Sequence, residues 1–149
     1  MTEGRPWWHV KLTAWGHRTT IPRNAVIELL DRSTKHPSAE EIYLAVHRTY
    51  PAIGLTTVYR TLELIEQMGI IRKLVFGDGR SRYEISDGPH WRYHQHLFCM
   101  KCGKVMDYTD FVTEQQRLLK KIGEVLSKKY KFKISTHQLH FYGLCKKCR

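Results

Sequence analysis

The sequence predicts an α+β chain in two parts. A winged helix-turn-helix domain covers residues 1–86, and a small zinc-stapled α+β domain covers 91–149 beyond a hinge at 87–90. Three observations predict it. Apolar residues recur at helical spacing in three short segments between Pro22 and Gly69, after which the period changes to two. The run Asp87-Gly88-Pro89 then interrupts both patterns. All four cysteines lie beyond that break, as Cys99-x-x-Cys102 and Cys145-x-x-Cys148.

Each element follows from local chemistry. In PRNAVIELLDRS, Ala25, Val26, Leu29 and Leu30 share a helical face, and Pro22 suits the first turn because a leading N–H has no partner there. In PSAEEIYLAVHRTY, Ser38 and Glu41 have capping-box spacing, and Ile42, Leu44 and Val46 supply the apolar stripe. GLTTVYRTLELIEQMG starts behind Gly54 with a threonine cap, turns Val58, Leu62 and Ile65 inward and stops at Gly69. IIRKLVF and RSRYEIS alternate around Gly77-Asp78-Gly79, which reads as a β-hairpin. Three helices and a hairpin make a winged helix, a fold often used on duplex DNA. Beyond the hinge, HLFCMKCGKVMDY reads as a second hairpin with the first cysteine pair at its turn. A helix from about Asp110 to Tyr130 follows, with Val112, Leu118, Leu119, Ile122, Val125 and Leu126 apolar. KFKISTHQLHFYG alternates as a last strand and leads into the second pair.

Composition narrows the class. At 149 residues, 42% hydrophobic and 26% charged, the chain can bury a real core and is neither disordered nor fibrous. No run approaches 18 apolar residues, and MTEGRPWWHVKLTAWGHR lacks a signal peptide's apolar centre, so the expected compartment is the cytoplasm. A formal charge of +11 suggests an anionic partner, and nucleic acid is the commonest. Residues 87–149 hold 13 basic against 5 acidic groups and residues 1–86 hold 12 against 9, so charge alone points to the second half.

In a reducing compartment two Cys-x-x-Cys pairs read as zinc knuckles rather than disulfides. Tetrahedral Zn²⁺ takes four soft ligands, and two short turns deliver Cys99, Cys102, Cys145 and Cys148 in pairs. A metal also explains how about 60 residues hold a fold, because so small a core rarely suffices alone. His94-Gln95-His96 adds a second possibility. Alternate strand residues share a face, so both imidazoles can meet one ion, although the same spacing also suits two solvated histidines. Glu84, Asp107 and Glu114 are carboxylates available to such a site, and His36 ahead of Pro37 could swing onto a ligand. His137 and His140, three apart in the last strand, would face opposite sides.

No catalytic set accompanies these ligands. The chain has no GxSxG, HExxH or P-loop, and neither cysteine pair sits in a βαβ pattern, so it reads as a non-enzyme without a small organic substrate. For DNA, the N-terminal part of the third helix is the candidate reader. Arg60 suits a guanine edge or a phosphate, Tyr59 a thymine methyl, and Thr56 and Thr57 phosphates. Arg18 and Arg23 flank the start of the first predicted helix and could reach phosphates or a minor groove.

Together GLTTVYRTLELIEQMGII, GDGRSRYE, YHQHLFCMKCGKVMDY and the terminal CKKC resemble the ferric uptake regulator (Fur) family, in that family's order and over residues 16–149. The resemblance implies a homodimeric metalloregulator with a C-terminal dimerisation domain. It also implies that the metal-loaded dimer binds AT-rich inverted repeats and represses transcription. By matched position, Cys99, Cys102, Cys145 and Cys148 hold the family's structural zinc, and His36, Glu84, His94, His96 and Asp107 form its inter-domain regulatory site. Tyr59 and Arg60 match the DNA-reading pair and Arg18 the minor-groove residue. Glu114 and His137 match a further metal site, but Tyr93 and Gln95 stand at its other two ligand positions, so that site is expected to be vestigial.

One ion joining the two domains would hold the paired recognition helices at a DNA-competent spacing. Members of the family read Fe²⁺, Zn²⁺, Mn²⁺, Ni²⁺ or peroxide. A regulatory set without cysteine argues against a dedicated zinc sensor. Glu84, where peroxide sensors typically carry Asp, favours Fe²⁺ over peroxide, and Mn²⁺ stays open. The remaining alternative is a zinc-stabilised module that binds DNA constitutively.

Overall fold

The computed structural model describes residues 4–149, which form two compact units dividing between Trp91 and Arg92. The first unit holds four helices and a hairpin: α1 (Trp7–Ala14), α2 (Ile21–Arg32), α3 (Ala39–Thr49), α4 (Leu55–Gln67), β1 (Ile71–Val75) and β2 (Ser81–Ile85). α1 is an addition to the sequence reading. Its Val10 is exposed beside two tryptophans, so no periodic stripe announces it. Trp8 and Leu12, one turn apart, nevertheless enter the core, and the Trp8 indole donates to Asn24 Oδ1 at 3.1 Å. Gly16, at φ 74°, closes the helix with its N–H on Thr13 O.

The next helices begin for identifiable reasons. Thr20 caps α2 by accepting the Arg23 N–H, and Pro22 lies in the first turn. Buried Ile27 joins Val26 and Leu30 on its inner face, while Ala25 and Leu29 sit at the margin. The capping box of α3 is complete: Glu41 N–H donates to Ser38 Oγ and Ser38 N–H donates to Glu41 Oε2. Ala39, Ile42 and Val46 form its buried stripe. Leu44, expected in that stripe, is 59% exposed because it lies two residues from Ile42, across the helix. α4 has Gly54 at its N-cap and no hydroxyl cap, so the expected threonine cap is absent; Thr56 and Thr57 already belong to the exposed first turn. Val58, Leu62 and Ile65 point inward as expected.

The hairpin pairs antiparallel from Ile71↔Ile85 to Val75↔Ser81. Its turn uses Gly77 and Gly79 at φ 81° and 79°, and Asp78 accepts two bonds from the Arg82 guanidinium at 3.1 and 2.8 Å. Tyr83 N–H donates to Pro37 O, which ties β2 to the start of α3.

The second unit comprises β3 (Gln95–Cys99), β4 (Val105–Tyr108), α5 (Val112–Tyr130) and β5 (His140–Gly143). Its sheet runs β4-β3-β5, with β4 antiparallel and β5 parallel to the central strand. The expected last strand is therefore cut to four residues: 131–139 run without regular structure after Lys131 ends α5 in the left-handed region. His137 lies outside the strand and His140 within it. α5 buries no side chain at all, so Leu118, Ile122, Val125 and Leu126 form an apolar face turned outward. Phe98 against Tyr142, with ring centres 5.8 Å apart, is a principal apolar contact of this sheet.

One cluster running from Trp8 to Tyr83 forms the first unit's core. Leu62, 1% exposed at its centre, is expected to cost about 3 kcal/mol of stability when changed to Ala. Denaturant unfolding of Leu62→Ala checks this, and an unchanged midpoint would contradict it.

Candidate metal centres and nucleic-acid interface

The first candidate centre is held by the β3–β4 turn and the segment after β5. Gly103 N–H returns to Cys99 O, Cys148 N–H returns to Cys145 O, and Met100 N–H donates to Gly143 O, so two tight turns are laced to each other. The sulfurs of Cys99, Cys102, Cys145 and Cys148 lie within 4.8 Å of one another, and all four thiols are free. Cys102 Sγ and Cys145 Sγ are 3.8 Å apart. A tetrahedral ion with Zn–S bonds of about 2.3 Å needs sulfur separations of about 3.8 Å, so the set fits zinc.

Protonation gives the same answer. Backbone N–H groups of Cys102 and Cys145 bring the Cys99 thiol down to about 6, and sharing of a hydrogen bond with Cys148 lowers Cys145. Cys148 is pushed up to about 12, first by its bond with Cys145 and then by burial. Four thiolates this close repel one another, and a dication is the partner that lets all four ionise.

Two further groups of ligand-capable side chains occur, one in each unit. In the first unit the Tyr83–Pro37 bond brings the preceding His36 beside Glu84, with Nε2 3.1 Å from Oε2. The other oxygen of Glu84 pairs with the Arg72 guanidinium, its cross-strand neighbour. Sequence reasoning missed Arg72, although the hairpin register could have found it. In the second unit, antiparallel pairing sets Asp107 opposite His96. Asp107 Oδ1 is 3.5 Å from His96 Nε2 and 3.8 Å from His94 Nε2. The His94 Nδ1 lies 2.8 Å from Arg92 O, a contact that fixes the ring and directs Nε2 toward the carboxylate. Both groups offer nitrogen and oxygen donors, which suit Fe²⁺ and Mn²⁺.

Glu114, exposed in the first turn of α5, and His137, exposed after it, join no cluster of three ligand-capable groups among the described residues. Tyr93 and Gln95 hydrogen-bond each other at 2.7 Å, a pair of neutral groups.

The candidate DNA-reading residues all lie in the first unit. Thr56, Thr57, Tyr59 and Arg60 are exposed on the first turns of α4. Arg18 is exposed before α2, and Arg23 donates to its carbonyl at 2.6 Å. Tyr59 has a partner that sequence did not suggest: its hydroxyl donates to the Glu40 carboxylate from the start of α3. That bond holds Glu40 below the usual carboxylate range and raises the Tyr59 phenol.

Against this geometry, a sequence model of the ferric uptake regulator family matches residues 14–142. This chain belongs to the ferric uptake regulator family. It is 39% identical over 139 residues to a ferric uptake regulation protein of Bacillus subtilis, covering 93% of this chain and 89% of that one. It is 32% identical over 134 residues to the peroxide-responsive repressor PerR of Staphylococcus aureus, covering 90% and 84%. Among solved structures it resembles the Helicobacter pylori regulator Fur, described as having three functional metal binding sites, with TM-score 0.73, 27% identity and coverage of 94% and 87%. The chain is thus a metal-dependent transcriptional regulator of this family and not an enzyme. Among the described residues no helix is long and apolar enough to cross a membrane.

Two predictions follow from the centres. Cys102→Ser and Cys145→Ser should each lose tightly held zinc, on the order of one ion per chain, and unfold the second unit while the first keeps its helical signal. Elemental analysis with circular dichroism reads both; retained zinc in either variant would contradict it. Arg72→Ala should weaken uptake of an exchangeable Fe²⁺ or Mn²⁺ by about tenfold, because Glu84 loses the partner that orients it. Anaerobic metal titration reads that change.

Proposed function

We propose that the chain acts as a homodimer that binds an AT-rich inverted repeat and represses transcription when loaded with a divalent ion, Fe²⁺ by preference. Cys99, Cys102, Cys145 and Cys148 hold the structural zinc, and His36, Glu84, His94, His96 and Asp107 hold the exchangeable ion. Arg18, Arg23, Thr56, Thr57, Tyr59 and Arg60 meet the DNA. The hinge at 87–90 separates the reading domain, 1–86, from the metal-binding and dimerisation domain, 91–149.

The observation that carries this reading is the division of ligands. Each unit prepares its own share, His36 with Glu84 in one and His94, His96 and Asp107 in the other. A single ion requiring both shares ties metal occupancy to domain arrangement, which is what a metal-operated switch requires. Moving such an equilibrium from 1:99 to 99:1 takes about 5.5 kcal/mol of differential binding. The outward apolar face of α5 supports a second copy as partner, since a surface of that kind is otherwise an aggregation hazard. Nitrogen and oxygen donors without a thiolate support Fe²⁺ over a dedicated zinc sensor.

The ion supplies a positive centre that holds the two ligand shares together. Glu84, His36, His94, His96 and Asp107 would hold it, with Arg72 orienting the Glu84 carboxylate and the Arg92 carbonyl orienting the His94 ring. With its hydroxyl donating to Glu40, Tyr59 has its ring left as the part that would touch a thymine methyl.

The test is duplex binding measured anaerobically on a pool of AT-rich inverted repeats, with Fe²⁺, with Mn²⁺ and after mild chelation. His96→Ala should keep the Cys-held zinc and its oligomeric state but lose metal-stimulated binding by at least about a hundredfold, beyond what outer partners of a metal contribute. Arg60→Ala should cost roughly 1–3 kcal/mol of binding with metal uptake unchanged. Equal affinity with and without the exchangeable ion would replace the switch by a constitutive binder. Release from DNA by dilute peroxide only in the Fe²⁺ form would make the chain an oxidant sensor.

A further inference from the structure

Strand spacing alone places His140 on the face opposite His137, three residues earlier. The shortened β5 changes its meaning. His140 is the parallel partner of His96, and Asp107 is the antiparallel partner of His96 on the other side. Cross-strand partners project from the same face of a sheet, so Asp107, His96 and His140 form one row across all three strands. His94, two residues before His96, shares that face.

His96 is thereby enclosed. It is 1% exposed, with Asp107 Oδ1 3.5 Å from Nε2 on the β4 side. On the β5 side the His140 ring stands 5.6 Å away at 53°, and the His94 ring lies at 5.0 Å and 83°. His140 is itself held, since its Nε2 is 3.4 Å from Gln138 Oε1 and its ring meets the edge of Tyr142 at 6.4 Å. Tyr142 in turn packs on Phe98, so the arrangement is anchored in the sheet. The ligand atoms of His94, His96 and Asp107 gather within 4.8 Å of one another, and no nitrogen of His140 belongs to that group.

We propose that His140 is a positioning residue for the exchangeable-metal centre. Its ring packs against that of His96 and holds the imidazole in the orientation that presents Nε2 to the ion. The proposal rests on the assignment of His96 as a ligand made above. It differs from a ligand role in depending on ring shape rather than on a nitrogen lone pair. An imidazole that is already oriented loses less rotational freedom on binding, and removal of such outer support commonly lowers metal affinity 10–100-fold.

The test uses full-length protein with its tightly held zinc in place and Co²⁺ as the probe of the exchangeable site. Affinity and the visible absorption of the bound ion are both read. His140→Ala should weaken Co²⁺ binding by about tenfold or more and change its absorption envelope, with zinc content unaltered. His140→Phe, which keeps a ring of similar breadth without nitrogens, should restore both affinity and spectrum. Should His140→Ala release its zinc, His140→Leu takes its place, filling the space without a flat ring. An unchanged affinity and spectrum in His140→Ala would overturn the proposal. So would a His140→Phe variant that behaves like His140→Ala, since a nitrogen would then be the active feature. His96→Ala separates the two levels of argument. If it loses Co²⁺ while His140→Ala does not, positioning fails alone; if it binds Co²⁺ as the unaltered protein does, the assignment of the centre fails as well.

Discussion

The second unit depends on the central strand β3, whose five residues run from Gln95 to Cys99. Cys99 at one end belongs to the four-sulfur cluster, and His96, three residues earlier, belongs to the row that faces Asp107. Cys145 and Cys148 follow β5 directly, so an ion at the sulfurs clamps the end of β5 to the β3–β4 turn. The parallel register runs from His96↔His140 to Cys99↔Gly143, and Met100 N–H donating to Gly143 O continues it toward the cysteine turns. In strands a slip of one residue sends every side chain to the opposite face. The cysteine turns and the histidine row therefore share one register: a slip of β5 that displaced Cys145 and Cys148 would also change which side chains stand beside His96.

This dependence is sharper because the unit has little else to rely on. Its long helix buries no residue, and its buried side chains are confined to β3: Gln95, His96, Phe98 and Cys99. The first unit is built the other way. Its core extends through four helices and the hairpin, and its His36–Glu84 pair is positioned by ordinary hydrogen bonding, Tyr83 N–H to Pro37 O. One unit is held together by apolar burial; the other buries little and has instead four clustered cysteines and an outward apolar helix face.

That contrast also explains how much could be read from sequence. Capping chemistry, the two-residue period of the hairpin and the spacing of cysteines are local, and they gave α2 to β4 and the four-sulfur cluster nearly in place. His36 with Glu84, and His94 and His96 with Asp107, were legible through matched positions and strand alternation. What escaped was set by tertiary context. α1 is apolar on several sides, so Trp8 and Leu12 could not be told from Val10. The alternation in KFKISTHQLHFYG found only four residues of strand, because residues 131–139 lack a ladder partner. Arg72, Glu40 and His140 acquire roles from neighbours 12, 19 and 44 residues away, distances that no periodicity encodes.

The basic excess does not coincide with the candidate DNA-reading side chains. Residues 87–149 carry most of the basic excess, yet the candidate DNA-reading side chains lie on α4, just before α2 and in the first turn of α2, in the less basic half. Acidic groups of the first half are engaged close to home: Glu40 by Tyr59, Asp78 by Arg82, and Glu84 by Arg72 and His36. Glu84 in particular is held by Arg72, its cross-strand neighbour, and by His36, so the hairpin register and the entry to α3 together orient its carboxylate.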